Sequence, residues 1–141
     1  MHRRELGRGR IVAALGALVI LAASVPLFAW YSLGGEQGEI TPIVLDAFDG
    51  SGLLPFLASL GTLALLTLPY ASDRPISIDR PLMYALLTFV AFAGLALWLP
   101  QVAANLAGMT PDRAPGWWIA LAGAIVLARG TFEIAQEPPR R

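Results

Sequence analysis

The sequence predicts an all-α integral membrane protein: a four-helix bundle with both termini in the cytoplasm and a short amphipathic helix in its first outer loop. Three observations carry this expectation. Of 141 residues, 56% are hydrophobic and only 14% are charged, which is more apolar than an ordinary soluble domain of this size. Four apolar segments, Ile11–Tyr31, Leu53–Ala71, Leu82–Pro100 and Trp117–Gln136, each approach the length that crosses a ~30 Å hydrocarbon core at ~1.5 Å per residue. The ten basic residues are all arginine, and with the N-terminus inside only Arg113 falls on the outer side. That bias is what the positive-inside rule requires of short loops. The chain reads as one membrane domain, multi-pass in the cell membrane.

Composition also removes function classes. Ten acidic residues balance the arginines, so there is no net positive charge to hold a nucleic acid. The chain has no cysteine, and its single histidine, His2, lies in the terminal tail. Disulfides, thiolate sites and bis-histidine haem are excluded, and no metal or cofactor is expected.

The first segment follows Arg3, Arg4, Arg8 and Arg10. A basic start and apolar middle also fit a secretion signal, with Ala22-Ala23-Ser24 or Leu27-Phe28-Ala29 as a cleavage site. Its length, the three segments that follow and the Trp30-Tyr31 exit, which reads as an interfacial anchor, favour a retained helix. Pro26 takes away a hydrogen bond to the Ala22 carbonyl, which predicts a kink near the outer end.

Ser32 to Gly52 is the longest loop. Thr41-Pro42 reads as a helix start, and Ile43, Val44, Ala47 and Phe48 recur at helical spacing. A two-turn amphipathic helix on the outer surface is expected there, closed by Gly50-Ser51-Gly52. Asp46 and Asp49 read as solvated charges, since no basic, histidine or glycine-rich partner accompanies them. The second span opens with Pro55 in its first turn. The polar turn Ser72–Pro81 holds Arg74 and Arg80, and the third span ends at Trp98 and Pro100.

Arg129 is the most informative single residue. The uncharged run before it, Trp117–Ala128, is only twelve residues long. With Trp118 at the outer boundary, Arg129 lies roughly 16 Å deep by helix rise, where an arginine costs about 2.5–3.5 kcal/mol on insertion scales. Glu133 stands one turn on and offers partial compensation. Depth matching adds Thr67 and Tyr70 from the second span, and Tyr84 and Thr88 from the third. Two readings stand. One is a buried polar cluster that binds an anionic group or gates a pathway. The other is a short, tilted helix whose arginine reaches the inner headgroups.

Gly116, Ala120, Ala124 and Ala128 recur every four residues along the last helix, a spacing that lets helix backbones approach closely. It serves internal packing or oligomerisation. No phosphate loop, zinc-protease motif or nucleophile elbow is present.

Trp30-Tyr31-Ser32 at the first exit, Asp46-Ala47-Phe48 before the second helix, and Gly116-Trp117-Trp118 with the small-residue run Ala120–Ala128 together form a pattern. In it the chain resembles a group of small four-helix membrane proteins common in high-GC Gram-positive bacteria. Those proteins often carry tryptophan and glutamate where this chain has Leu45 and Asp46. The resemblance implies architecture and no activity. The function expected is therefore non-enzymatic: a structural or accessory subunit packing in the lipid bilayer beside other membrane proteins or copies of itself. A small transporter or channel using the Arg129–Glu133 cluster is the alternative.

Overall fold

The computed structural model describes residues 7–34, 41–71 and 80–137, with the backbone alone for residues 69–71 and 80. Its described residues are mostly helical: α1 (Arg8–Ala23), α2 (Leu53–Ala71), α3 (Arg80–Gln101) and α4 (Pro115–Ala135), with strands β1 (Tyr31–Leu33) and β2 (Ile43–Leu45). Each helix packs on the next in chain order, and α4 closes the ring against α1. Neighbours run antiparallel, so the four form an up-down-up-down bundle. One end carries Arg8, Arg10 and Arg129; all four tryptophans gather toward the other.

The tightest seam joins α1 to α4, and glycine makes it. A Cβ on Gly16 would sit 2.7 Å from Leu127 Cα and 2.8 Å from the Gly123 carbonyl oxygen; one on Gly130 would sit 2.7 Å from Ala13 Cα and 2.8 Å from the Gly9 carbonyl oxygen. Backbone therefore meets backbone. Gly9 and Gly16 are two turns apart, as are Gly123 and Gly130, so both pairs stay on the seam as the helices run past each other. Gly116, Ala120 and Ala124 are buried while Ala128 is only half-buried. Each four-residue step drifts about 40° round a 3.6-residue helix, so the fourth member rotates off the contact. The seam is internal to one chain.

Three expectations are corrected here. First, α1 ends at Ala23, eight residues before Tyr31. Pro26 disfavours helical geometry at Val25, and Ser24 closes the helix by donating its hydroxyl to the Ile20 carbonyl at 2.9 Å. The proline follows a stop; it does not kink a continuing helix. Second, Trp30 is fully buried and Tyr31 nearly so, so neither is an interfacial anchor. The chain folds back and the Trp30 indole donates to the Ala23 carbonyl at 2.8 Å. Third, the amphipathic helix over Thr41–Phe48 is absent. Ile43–Leu45 is a strand paired antiparallel with Tyr31–Leu33, followed by a single 3-10 turn, Ala47–Asp49. Consecutive Ile and Val favour extended backbone, and the returning Tyr31–Leu33 supplies the hydrogen-bonding partner that no isolated helix had. Asp46 and Asp49 cap that turn reciprocally: the Phe48 amide donates to Asp46 Oδ1 at 2.7 Å and the Asp46 amide to Asp49 Oδ2 at 2.8 Å.

The tryptophan end is a packed cap. Trp30 meets Trp98 edge to face at 5.6 Å, and Tyr31 lies against Gly108, where a Cβ would come 2.5 Å from its ring. The Gly116 amide donates to the Ala29 carbonyl at 2.9 Å, fixing the start of α4 to the fold-back. Ser51, just before α2, bonds the Gly94 carbonyl on α3 at 2.9 Å.

Among the described residues, two helices are long and apolar enough to cross a membrane, through Pro81–Gln101 and Pro115–Ala135, and α2 carries a shorter apolar run, Leu53–Leu68.

Candidate functional site

Five of the six polar residues singled out in the sequence divide among three places. Arg129 and Glu133 form an ion pair on α4, Nε to Oε1 at 3.0 Å, with side chains 67% and 19% exposed. Arg129 stands on the outward side of the helix beside Ile125 and Phe132, each 57% exposed. Thr88 lies in the seam between α3 and α4, where its hydroxyl meets that of Thr131 at 2.8 Å. Tyr84 is buried one turn before it, and Thr88 donates to the Tyr84 carbonyl at 2.8 Å. With that proton committed, Thr131 is the donor in the hydroxyl pair. Thr67 is on an exposed face of α2 and bonds its own helix, at the Ala64 carbonyl, at 3.0 Å. The side chain of Tyr70 lies outside the described residues.

Position 131 explains the division. It follows Arg129 by two residues, which is about 200° round the helix. A polar residue at 131 therefore faces the bundle where one at 129 faces away. Thr131 was legible as the one further hydroxyl in an apolar helix; its partner across the seam was not.

At the same end, Arg10 Nη2 and Glu137 Oε2 are 3.9 Å apart, linking the first turn of α1 to the residues after α4. Glu133 Cβ also packs against Gly9, 3.0 Å from where a Cβ there would stand. The carboxylates thus turn toward α1 while Arg129 turns away from it. Among the described residues, no group of three or more His, Cys, Asp or Glu side chains is placed to hold a metal ion. The buried hydroxyls of Ser59 and Thr62 are satisfied by carbonyls of their own helix, at 2.7 and 2.8 Å. One buried polar atom, Trp98 Nε1, has no partner among the described residues.

Comparison with known proteins gives no match: no protein family, no curated protein and no solved structure is similar to this chain.

Proposed function

We propose that this chain is a four-span membrane protein with both termini in the cytoplasm, acting as a non-enzymatic subunit that packs beside other membrane proteins. The observation that carries it is an inverted distribution of side-chain size. Large apolar residues face outward on every helix, among them Leu15, Leu57, Phe89 and Ile125, each at least half exposed. The interior is rich in small residues, Ala13, Ala17, Ala58, Ala91, Ala120 and Ala124 with Ser59 and Thr62 among them, beside a few large ones such as Ile20, Leu95 and Leu127.

In water this arrangement exposes large apolar side chains on every helix, the kind of surface that marks a membrane or protein contact. In a bilayer it is the expected one, because lipid tails are as apolar as leucine and helices associate through close approach of small residues. The two longest apolar helices fit the same reading. Only 28% of the most apolar part of α3 is buried and 39% of that of α4, whereas a core helix of a soluble protein is buried nearly all round. The arginines at one end of the bundle give the direction.

The shortness of α1, 16 residues and roughly 24 Å by helix rise, is compatible with spanning because the fold-back through Trp30 continues the apolar surface beyond it. Leu27 is 87% exposed there. A transport role would want Arg129 and Glu133 lining the interior, and the outward Arg129 gives that alternative no support.

Reporter fusions after Leu33, Ser77, Thr110 and Gln136 test the topology. Alternating outside and inside signals are expected, and a cytoplasmic signal after Leu33 or Thr110 would refute it. Purification in mild detergent tests the role. A stoichiometric membrane partner or a defined homo-oligomer is expected; a monomer at native expression would sink the proposal.

A further inference from the structure

We infer that the outward face of α4 around Arg129 is a binding site for the phosphate of an anionic phospholipid in the cytoplasmic leaflet. This rests on the membrane reading above and deepens it by assigning a ligand class to one residue.

The Arg129–Glu133 pair is polarised. Its carboxylate is recessed, 19% exposed, and its guanidinium projects, 67% exposed. A guanidinium has five N–H donors, and among the described residues Arg129 spends one of them, through Nε, on Glu133. What the pair presents to its surroundings is therefore the positive end, with the Nη groups outermost. Those groups form the planar fork that matches a phosphate bidentately.

The surroundings are apolar. Within one turn of Arg129 on the same side stand Ile125 and Phe132, each 57% exposed, and Val126, 37% exposed. In a bilayer, acyl chains cover these residues, and the polar groups within reach of the fork are those of the lipid headgroup. Depth agrees. Arg129 is six residues before the end of α4 at Ala135, about 9 Å along the helix axis. Helical side chains lean toward the N-terminus by default, which here is the bilayer centre. Pairing with Glu133 draws the guanidinium the other way, one turn toward the headgroups.

The sign of the exposed charge selects the lipid. At this end Arg8 is exposed and Arg129 largely so. Glu133 is recessed, and Glu137 is 31% exposed opposite Arg10. Among the described residues the accessible charge at this end is positive, so a headgroup without its own cation fits better than a zwitterionic one. One arginine at the surface of an anionic leaflet is worth about a fivefold preference.

The test is retention of lipid by the purified full-length chain. Protein in mild detergent is equilibrated with equal amounts of phosphatidylglycerol and phosphatidylcholine, and the bound lipid is measured by native mass spectrometry. Wild type is expected to retain the anionic lipid about fivefold over the zwitterionic one, and Arg129→Gln to lose most of that preference. Arg8→Gln, at the aqueous edge, is expected to change it less. Glycerol phosphate in solution should not compete, because the apolar flank adds the chains to the headgroup. Equal retention of the two lipids by wild type, or an unchanged preference in Arg129→Gln, overturns the site, as does full competition by glycerol phosphate. Flotation with vesicles separates this from the membrane reading. A wild type that floats with both lipids but prefers neither loses only the site, and one that floats with neither loses the membrane reading.

Discussion

Replacing Gly16 by alanine adds one methyl group at the closest point of the bundle, and its cost follows from what surrounds it. The new Cβ would stand 2.7 Å from Leu127 Cα and 2.8 Å from the Gly123 carbonyl. Both are backbone, so no rotamer change makes room. Restoring carbon contacts to about 3.5 Å requires α1 and α4 to part by about 0.8 Å, a gap that forfeits a quarter to a half of the dispersion energy along the seam. Overpacking of this kind costs about 1–3 kcal/mol, and the better helix propensity of alanine returns up to about 1 kcal/mol. The net expectation is a loss of about 1–2 kcal/mol. Gly61→Ala is the control, with the same chemistry and the same propensity gain. Its Cβ would meet only Leu87 Cδ2, at 3.0 Å, the far end of a side chain that can turn aside. It should be neutral or stabilising by up to about 1 kcal/mol. Unfolding in mixed micelles by titration with a denaturing detergent, followed by tryptophan fluorescence, reads both variants. A Gly16→Ala protein as stable as Gly61→Ala would refute the backbone-to-backbone seam.

The hydroxyl pair and the capped turn give two further expectations. Thr131→Val keeps the shape and removes the donor to Thr88, so it should cost about 0.6–1.7 kcal/mol. A double-mutant cycle with Thr88→Val should return a coupling of at least about 0.5 kcal/mol, and additive losses would mean that the two hydroxyls do not bond. Asp46→Ala removes the acceptor for the Phe48 amide and should cost about 1 kcal/mol, with Asp46→Asn closer to wild type. Faster hydrogen exchange at Phe48 in Asp46→Ala checks this, and unchanged protection would argue against the cap.

The helical class and the approximate positions of α2, α3 and α4 were legible because each is an apolar run flanked by proline or glycine. What went unread was long-range. Pro26 looks the same in a kinked helix and just after a finished one. The distinction lies in Trp30, which returns its indole to the Ala23 carbonyl and so makes the fold-back worth more than one further turn of helix. The same return supplies β1, without which Ile43–Leu45 has no strand to pair with and helical spacing is the only periodic pattern left to read. For the candidate site, the i,i+4 relation of Arg129 and Glu133 is local and was readable. Whether that pair faces inward depends on which side of α4 meets α1, and that side is fixed by Gly123 and Gly130 against Gly9 and Gly16. The four-residue stripe through Ala128 pointed about 140–160° away from this seam by its last member.

The two ends of the chain form the tightest helix pair in the bundle, and this has a consequence for assembly. Gly9, Ala13, Gly16, Ala17 and Ile20 are all buried in the finished fold, and four of the five, all but Ala17, meet α4 within contact distance of a glycine position. The α2–α3 pair instead includes a leucine that fills the space beside Gly61 and can adjust as the helices settle. α1 is therefore made well before the helix that completes its packing, because that partner, α4, follows α2 and α3 and the loop closed between them is long. A chain ending at Ala114 should retain α2 against α3 but leave the seam face of α1 uncovered. The sequence contains no cysteine, so a single Ala13→Cys, at a fully buried position beside Gly130, reports this without background. The thiol should react readily with a small membrane-permeant maleimide in the truncated chain and resist it in the full one. Supplying residues 115–141 as a separate segment should restore protection. Equal protection in the truncated chain would mean that α1 is held by α2 alone and that the glycine seam forms as a consequence of the fold, without being needed to complete it.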